Sequence, residues 1–191
     1  MAYPLPPYIS ADAKVMMFVD GENLSIRYGK VLRGAKPDHV VYEPNTYVWS
    51  ECLNLDRHVC EVIRKYYYTC VQGDDVRLVQ VEDDLKAVGI EAPCVFKKTK
   101  GRGSKRVDIS LTIDMLTHAH RKNYDIAVLV AGDEDYVPLV EAVMAESRRV
   151  VVWFFRQGLN PHLKRCADYF FDVGEVLLET DSAKIRSLFL V

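Results

Sequence analysis

The stretch "DIAVLVAGDEDYVPLV", Asp125 to Val140, decides the fold. Its first half is an unbroken apolar run of strand length, as expected of a strand covered on both faces. Gly132 then permits a tight turn, after which two carboxylates, Asp133 and Asp135, stand one residue apart. Beyond them Pro138, Leu139, Val143 and Met144 carry a helix, since proline is tolerated in a first turn. A buried strand, an acidic turn and a helix make one step of a βαβ crossover, the unit of a parallel sheet with helices on both faces.

The same step recurs along the chain. "KVMMFVD" is an apolar run that ends in Asp20, and "CEVIRKYYYT", "APCVF" and "RRVVVWFF" read as further strands. Helices are expected over Asn23–Val31, Thr46–Arg57, Asp75–Val88, Val107–His120 and Tyr136–Ser147. "RGAKPDHVVYEPN", Arg33 to Asn45, is a long connection bearing Pro and Gly, the kind that is either functional or flexible. Residues 1–13 form a Pro-rich leader expected to be mobile, 14–173 the domain, and 174–191 an extension. That extension carries Leu177, Leu178, Ile185, Leu188 and Phe189, which fit either docking on its own core or a homodimer contact.

With 191 residues, 49% of them hydrophobic, one domain with a substantial core is enough. A net charge of -2 excludes a protein that is basic all over, so contact with nucleic acid needs a local patch. The five cysteines, Cys52, Cys60, Cys70, Cys94 and Cys166, show no CxxC or zinc-ribbon spacing and read as reduced thiols of a cytoplasmic protein. The leader's prolines interrupt any signal-peptide core, and no run reaches the length of a membrane span, so no membrane partner is expected.

In a parallel sheet the residues just past the strands' carboxyl ends share one rim, where ligands bind. Asp20, Asp133 and Asp135 follow two strands directly, and Asp108 opens the helix after "APCVF" and its loop. Carboxylates gathered there repel one another until protons or a cation neutralise them, and an all-oxygen donor set suits Mg²⁺ or Mn²⁺. Each acid also has a local explanation: Asp20 as a turn residue, Asp135 as a helix cap, Asp108 as complement to a helix dipole. Asn23 reads equally as a cap for a helix starting at Leu24. Asp114 lies six residues after Asp108, about 120° around the helix, so it is an outer or second-ion candidate with surface solvation or a local salt bridge as its equal.

"FKKTKGRGSKRVD" concentrates Lys97, Lys98, Lys100, Arg102, Lys105 and Arg106 before Asp108. Beside an acidic rim, such a strip fits a polyanion whose phosphates bridge loop and metal. Neither GxxxxGK[ST] nor a GxGxxG after the first strand is present, so nucleotide-cofactor readings lose support.

Together, "FVDGENL", "KRVDISLTIDML", "AGDEDYVPLV" and "LKRCADYFFDV" resemble the NYN-domain proteins, LabA-like members of the PIN-like nuclease superfamily. The resemblance runs from about Val15 to Val173. It implies a PIN-like α/β fold, a Rossmann-like three-layer α/β/α sandwich with a mainly parallel sheet, and a metal-dependent ribonuclease site. Asp20, Asp108, Asp133 and Asp135 match the family's acidic metal positions. Asn23 matches the polar residue after the first acid, Lys105 the basic residue before the second, and Asp114 a further acid of less uniform role. Ala131 stands where many relatives have Ser.

The expected activity is hydrolysis of RNA phosphodiester bonds with Mg²⁺ or Mn²⁺. The alternative is a non-catalytic RNA-binding or regulatory module that retains the pocket. A metal-dependent phosphatase is a third reading, disfavoured because "VDGEN" lacks an Asp two positions after the first.

Overall fold

Along the first strand Val15, Met17 and Val19 enter one core while Met16 and Phe18 enter the other, the alternation of a strand buried on both sides. The computed structural model describes residues 4–7, 9–55, 59–98 and 105–189. In order, the elements are β1 (Lys14–Asp20), α1 (Gly21–Val31), β2 (Val40–Glu43), β3 (Tyr47–Ser50), β4 (Glu61–Val71), α2 (Asp75–Ala87), β5 (Ala92–Lys97) and α3 (Lys105–His120). There follow β6 (Ile126–Val130), α4 (Val137–Ala145), β7 (Arg149–Phe154), α5 (Pro161–Cys166), β8 (Tyr169–Asp172), α6 (Gly174–Leu177) and α7 (Ser182–Phe189). Short 3-10 turns occupy Glu51–Leu53 and Glu134–Tyr136.

Six strands form one sheet in the order β5-β4-β1-β6-β7-β8, and every neighbouring pair is parallel. Leu24 and Tyr28 of α1, Val81 and Leu85 of α2, and Val176, Ile185 and Leu188 of the tail cover one face. Leu111 and Met115 of α3, Val140 and Val143 of α4, and Leu163 of α5 cover the other. The fold is the expected three-layer α/β/α sandwich with a parallel sheet. Pro4 accepts a 2.7 Å hydrogen bond from the Trp153 indole, and Leu5 is buried in the first layer.

The stretch read as a long connection, Arg33–Asn45, contains β2, the sequence reading did not anticipate α5 or β8, and one expected helix is replaced by a strand. Over the described part of the helix expected at Thr46–Arg57 the chain instead forms β3, antiparallel to β2, followed by the 3-10 turn; residues 56 and 57 lie outside the described residues. Asn45 adopts φ 57° in the turn after Pro44, and the Thr46 amide donates to the Glu43 carbonyl at 3.1 Å. Such a left-handed residue closes a short hairpin, and "VVYE" with "YVWS" supplies the β-branched and aromatic residues that favour pairing. The hairpin docks on β4 through Tyr67, whose hydroxyl donates to the Val48 carbonyl at 3.1 Å and accepts from the Val48 amide at 3.0 Å.

Strands added to one side of β1 are β4 and β5; the chain then crosses back to add β6, β7 and β8 to the other. The reversal lies between β1 and β6. Their following helices, α1 and α4, leave towards opposite layers and open a crevice at the carboxyl rim, the usual ligand position in such sheets.

The rim requires close backbone packing. A Cβ on Gly21 would lie 2.0 Å from an atom of the Tyr67 ring, which the hairpin holds at its hydroxyl end. Gly21→Ala is expected to destabilise the protein by about 1–3 kcal/mol, measured as a lowered midpoint in urea; an unchanged midpoint would show that the Tyr67 ring is free to yield.

Candidate functional site at the β1–β6 crevice

Asp20 ends β1 and caps α1, its Oδ1 accepting from the Asn23 amide at 3.0 Å. The side chain is only 4% exposed. Oδ2 accepts from the Tyr136 hydroxyl at 2.9 Å, and the same hydroxyl stands 3.3 Å from Asp108 Oδ1. A phenol has one hydrogen, so Tyr136 serves the two carboxylates by turns. Burial, and after it the charges of Asp20 and Asp108, push the Tyr136 phenol upward, which keeps it a donor.

Burial drives the Asp20 carboxyl from its ordinary range up to about 7, with the Asn23 amide and Tyr136 hydroxyl opposing and Asp108 and Asp133 adding to the rise. Asp108, half-buried in the first turn of α3, is also raised, chiefly by burial; Tyr136 opposes, and Asp133, Asp135 and Glu22 add repulsion. Negative charge is concentrated here beyond what the surrounding groups compensate.

Asn23 joins the two halves of the crevice. Its Oδ1 accepts from the Gly132 amide at 3.1 Å and its Nδ2 donates to Asp133 Oδ2 at 2.6 Å. The cap expected from Asn23 is made by Asp20, because α1 begins at Gly21 rather than Leu24. Asp133 and Asp135 are exposed, and neither makes a side-chain cap to the 3-10 turn or to α4. Gly132 is required by the close approach of Phe154, whose ring would lie 2.1 Å from an added Cβ. An open cleft of about 390 Å³ adjoins these residues, lined by Gly132, Asp133 and Asp135 on one side and Gly158, Leu159 and Asn160 on the other.

Asp114 is directed elsewhere. Its Oδ2 accepts from the Tyr68 hydroxyl at 2.8 Å, and its charge acts on Cys94 and His118. Of the basic strip, Lys105 and Arg106 are exposed at the start of α3, with the Arg106 guanidinium 4.6 Å over the Phe96 ring. Lys97 lies 3.8 Å from Asp75, while Lys98 pairs with Glu22. Lys100 and Arg102 lie outside the described residues.

Glu22 was not anticipated. It is 8% exposed, and its Oε2 is buried with no hydrogen-bond partner among the described residues. Among those residues no three His, Cys, Asp or Glu side chains close around one point as an ion cage. The donors available are nevertheless all carboxylate oxygens, one of them orphaned and two of the carboxyls raised, and such a set fits a hard divalent cation.

The sequence profile of the NYN domain matches residues 14–178. The chain belongs to the NYN domain family. NYN domains belong to the PIN-like nuclease superfamily and act on RNA, and PIN-like nuclease domains generally use divalent metals. No curated protein matches the chain. A crystal structure of a Vibrio parahaemolyticus protein of unknown function is similar, with a TM-score of 0.64 at 21% identity over 86% of this chain and 95% of that one, which shows the fold alone. A structure named as a UDP-N-acetylglucosamine 2-epimerase from Listeria monocytogenes superposes at a TM-score of 0.46 with 9% identity, over 93% of this chain and 43% of that one, and carries no argument. Among the described residues of this NYN domain no helix is long and apolar enough to cross a membrane.

The displaced titration of Asp20 has a measurable cost. Between the unfolded value of about 3.9 and the folded value of about 7, the folded state keeps a proton that the unfolded state has lost. The stability this contributes is whole below the unfolded value and is lost as pH rises towards 7. Asp20→Asn, which keeps the cap acceptor, is therefore expected to exceed wild type by about 2–4 kcal/mol at pH 8 in the presence of EDTA and to match it at pH 4. Urea denaturation at the two pH values reads the difference.

Proposed function

We propose that this NYN domain hydrolyses RNA phosphodiester bonds with Mg²⁺ or Mn²⁺ held at the β1–β6 crevice. The observation that carries the reading is Asp20, a carboxylate buried at the switch point of the sheet with Asp108 and Asp133 acting on it. Asp20, Asp108, Asp133 and Asp135 would hold the cation. When bound, a divalent cation supplies an activated water and neutralises charge on the phosphate.

The chain's own residues do the rest. Asn23 fixes the Asp133 carboxylate and the Gly132 amide relative to Asp20, so the two sides of the crevice keep one spacing. Tyr136 restrains Asp20 and Asp108 from splaying apart. Lys105 and Arg106 stand exposed one turn or less from Asp108 and bind the phosphate chain, with Lys97 and Lys98 at the end of β5 as further phosphate partners and Lys100 and Arg102, outside the described residues, retained as candidates from the sequence. Lys105 meets the charge that develops on the phosphate, and a carboxylate of the cluster accepts the proton of the attacking water.

Purified protein with single-stranded RNA and Mn²⁺ is expected to produce fragments, EDTA to stop the reaction, and Asp20→Asn to lower the rate about a hundredfold or more. The variant is stable by the argument above, so its loss of activity would not reflect unfolding. Cleavage undiminished in Asp20→Asn would end this reading. RNA binding that weakens with salt, without Mn²⁺-stimulated cleavage of any RNA tried, would replace it with a binding or regulatory module.

A further inference from the structure

Glu22 has no task in the reaction as described. It stands in the first turn of α1, where a negative charge complements the helix dipole. An exposed glutamate would gain the same benefit, so the dipole does not account for the burial. One oxygen, Oε1, is paired at 2.5 Å with the Lys98 ammonium, while Oε2 is buried with no partner among the described residues. A buried carboxylate oxygen left without a hydrogen-bond donor is costly and uncommon, and an ion is one of the few things that satisfies it.

Such an ion would sit at the crevice rim, because Glu22 lies two residues after Asp20 and directly before Asn23, whose side chain donates to Asp133. Lys98 follows β5 directly, its amide donating to the Val71 carbonyl at 2.7 Å, and its side chain remains 30% exposed. Its backbone is fixed while its ammonium, on a flexible four-carbon stem, has a route to solvent.

Building on the metal-dependent reading above, we propose that Glu22 is a further ligand to a divalent cation at the crevice, with Lys98 standing in for that cation until it binds. The single Lys98 ammonium leaves Oε2 orphaned; a divalent cation takes that oxygen as a donor. Lys98, displaced, becomes free for a phosphate of the substrate. Metal binding and RNA binding are thereby coupled through one lysine.

Calorimetric titration with Mn²⁺, together with melting temperature with and without Mn²⁺, tests this on the full chain. Glu22→Gln is expected to melt at or above wild type without metal, to bind Mn²⁺ at least about tenfold more weakly, and to gain less from Mn²⁺ on melting. Lys98→Met is expected to bind Mn²⁺ more tightly than wild type and RNA more weakly. Wild-type affinity and stoichiometry in Glu22→Gln would overturn the proposal, leaving Glu22 as a structural partner of Lys98. So would unchanged or weaker Mn²⁺ binding in Lys98→Met, which decides the matter if Glu22→Gln does not fold. Mn²⁺ binding lost in Glu22→Gln by a wild-type protein that cleaves no RNA would sustain Glu22 as a ligand while ending the ribonuclease reading. No Mn²⁺ binding by wild type would overturn both.

Discussion

Parallel pairing of β1 with β4 on one side and β6 on the other puts the end of β1 in the middle of the sheet, and the residue there is Asp20. A carboxylate in that position is cut off from water by both helical layers. Its ionised form survives only through fixed donors, and the chain supplies two: the Asn23 amide from the helix it caps and the Tyr136 hydroxyl from across the crevice. Two donors do not restore what burial removes, and the carboxyl stays raised. The neighbouring acids deepen the deficit rather than relieve it.

Asn23 and Tyr136 are neutral, which suits them to this place. A lysine in either position would satisfy the acids outright and close the crevice to any other cation. An amide and a phenol instead set distances while leaving the charge uncompensated. Positive side chains are held at the margin: Lys105 and Arg106 at the mouth, Lys98 against Glu22. The division between neutral groups inside and cationic groups at the edge is the arrangement expected where a polyanion meets metal-binding acids.

Much of this was legible in the sequence. The apolar runs of β1 and β6 and the acids that end them gave the parallel sheet and its rim, because a strand buried on both faces must be apolar throughout. What escaped depended on partners far along the chain. The helix expected over Thr46–Arg57 became a strand because its neighbour, "VVYE", precedes a turn that Pro44 and Asn45 close, and because Tyr67 fixes Val48 from β4. Asn23 and Asp135 both read as caps, yet α1 starts two residues before Asn23 and a 3-10 turn intervenes at Asp135. Glu22 gave no signal, since an acid in a first helical turn is ordinary and its burial is invisible until β5 delivers Lys98.

The bonds that assemble the crevice span long stretches of chain: 116 residues between Asp20 and Tyr136, and 110 between Asn23 and Asp133. Local elements such as α3 or the β2–β3 hairpin need only neighbours in sequence to begin forming. The crevice instead requires β6 to find β1 after β4 and β5 have taken the other side, and contacts of such separation are entropically expensive to close early. During synthesis β1 therefore emerges long before its acids can meet those of the β6 turn. A nascent or partly folded chain lacks the gathered carboxylates, which come together only with the finished sheet.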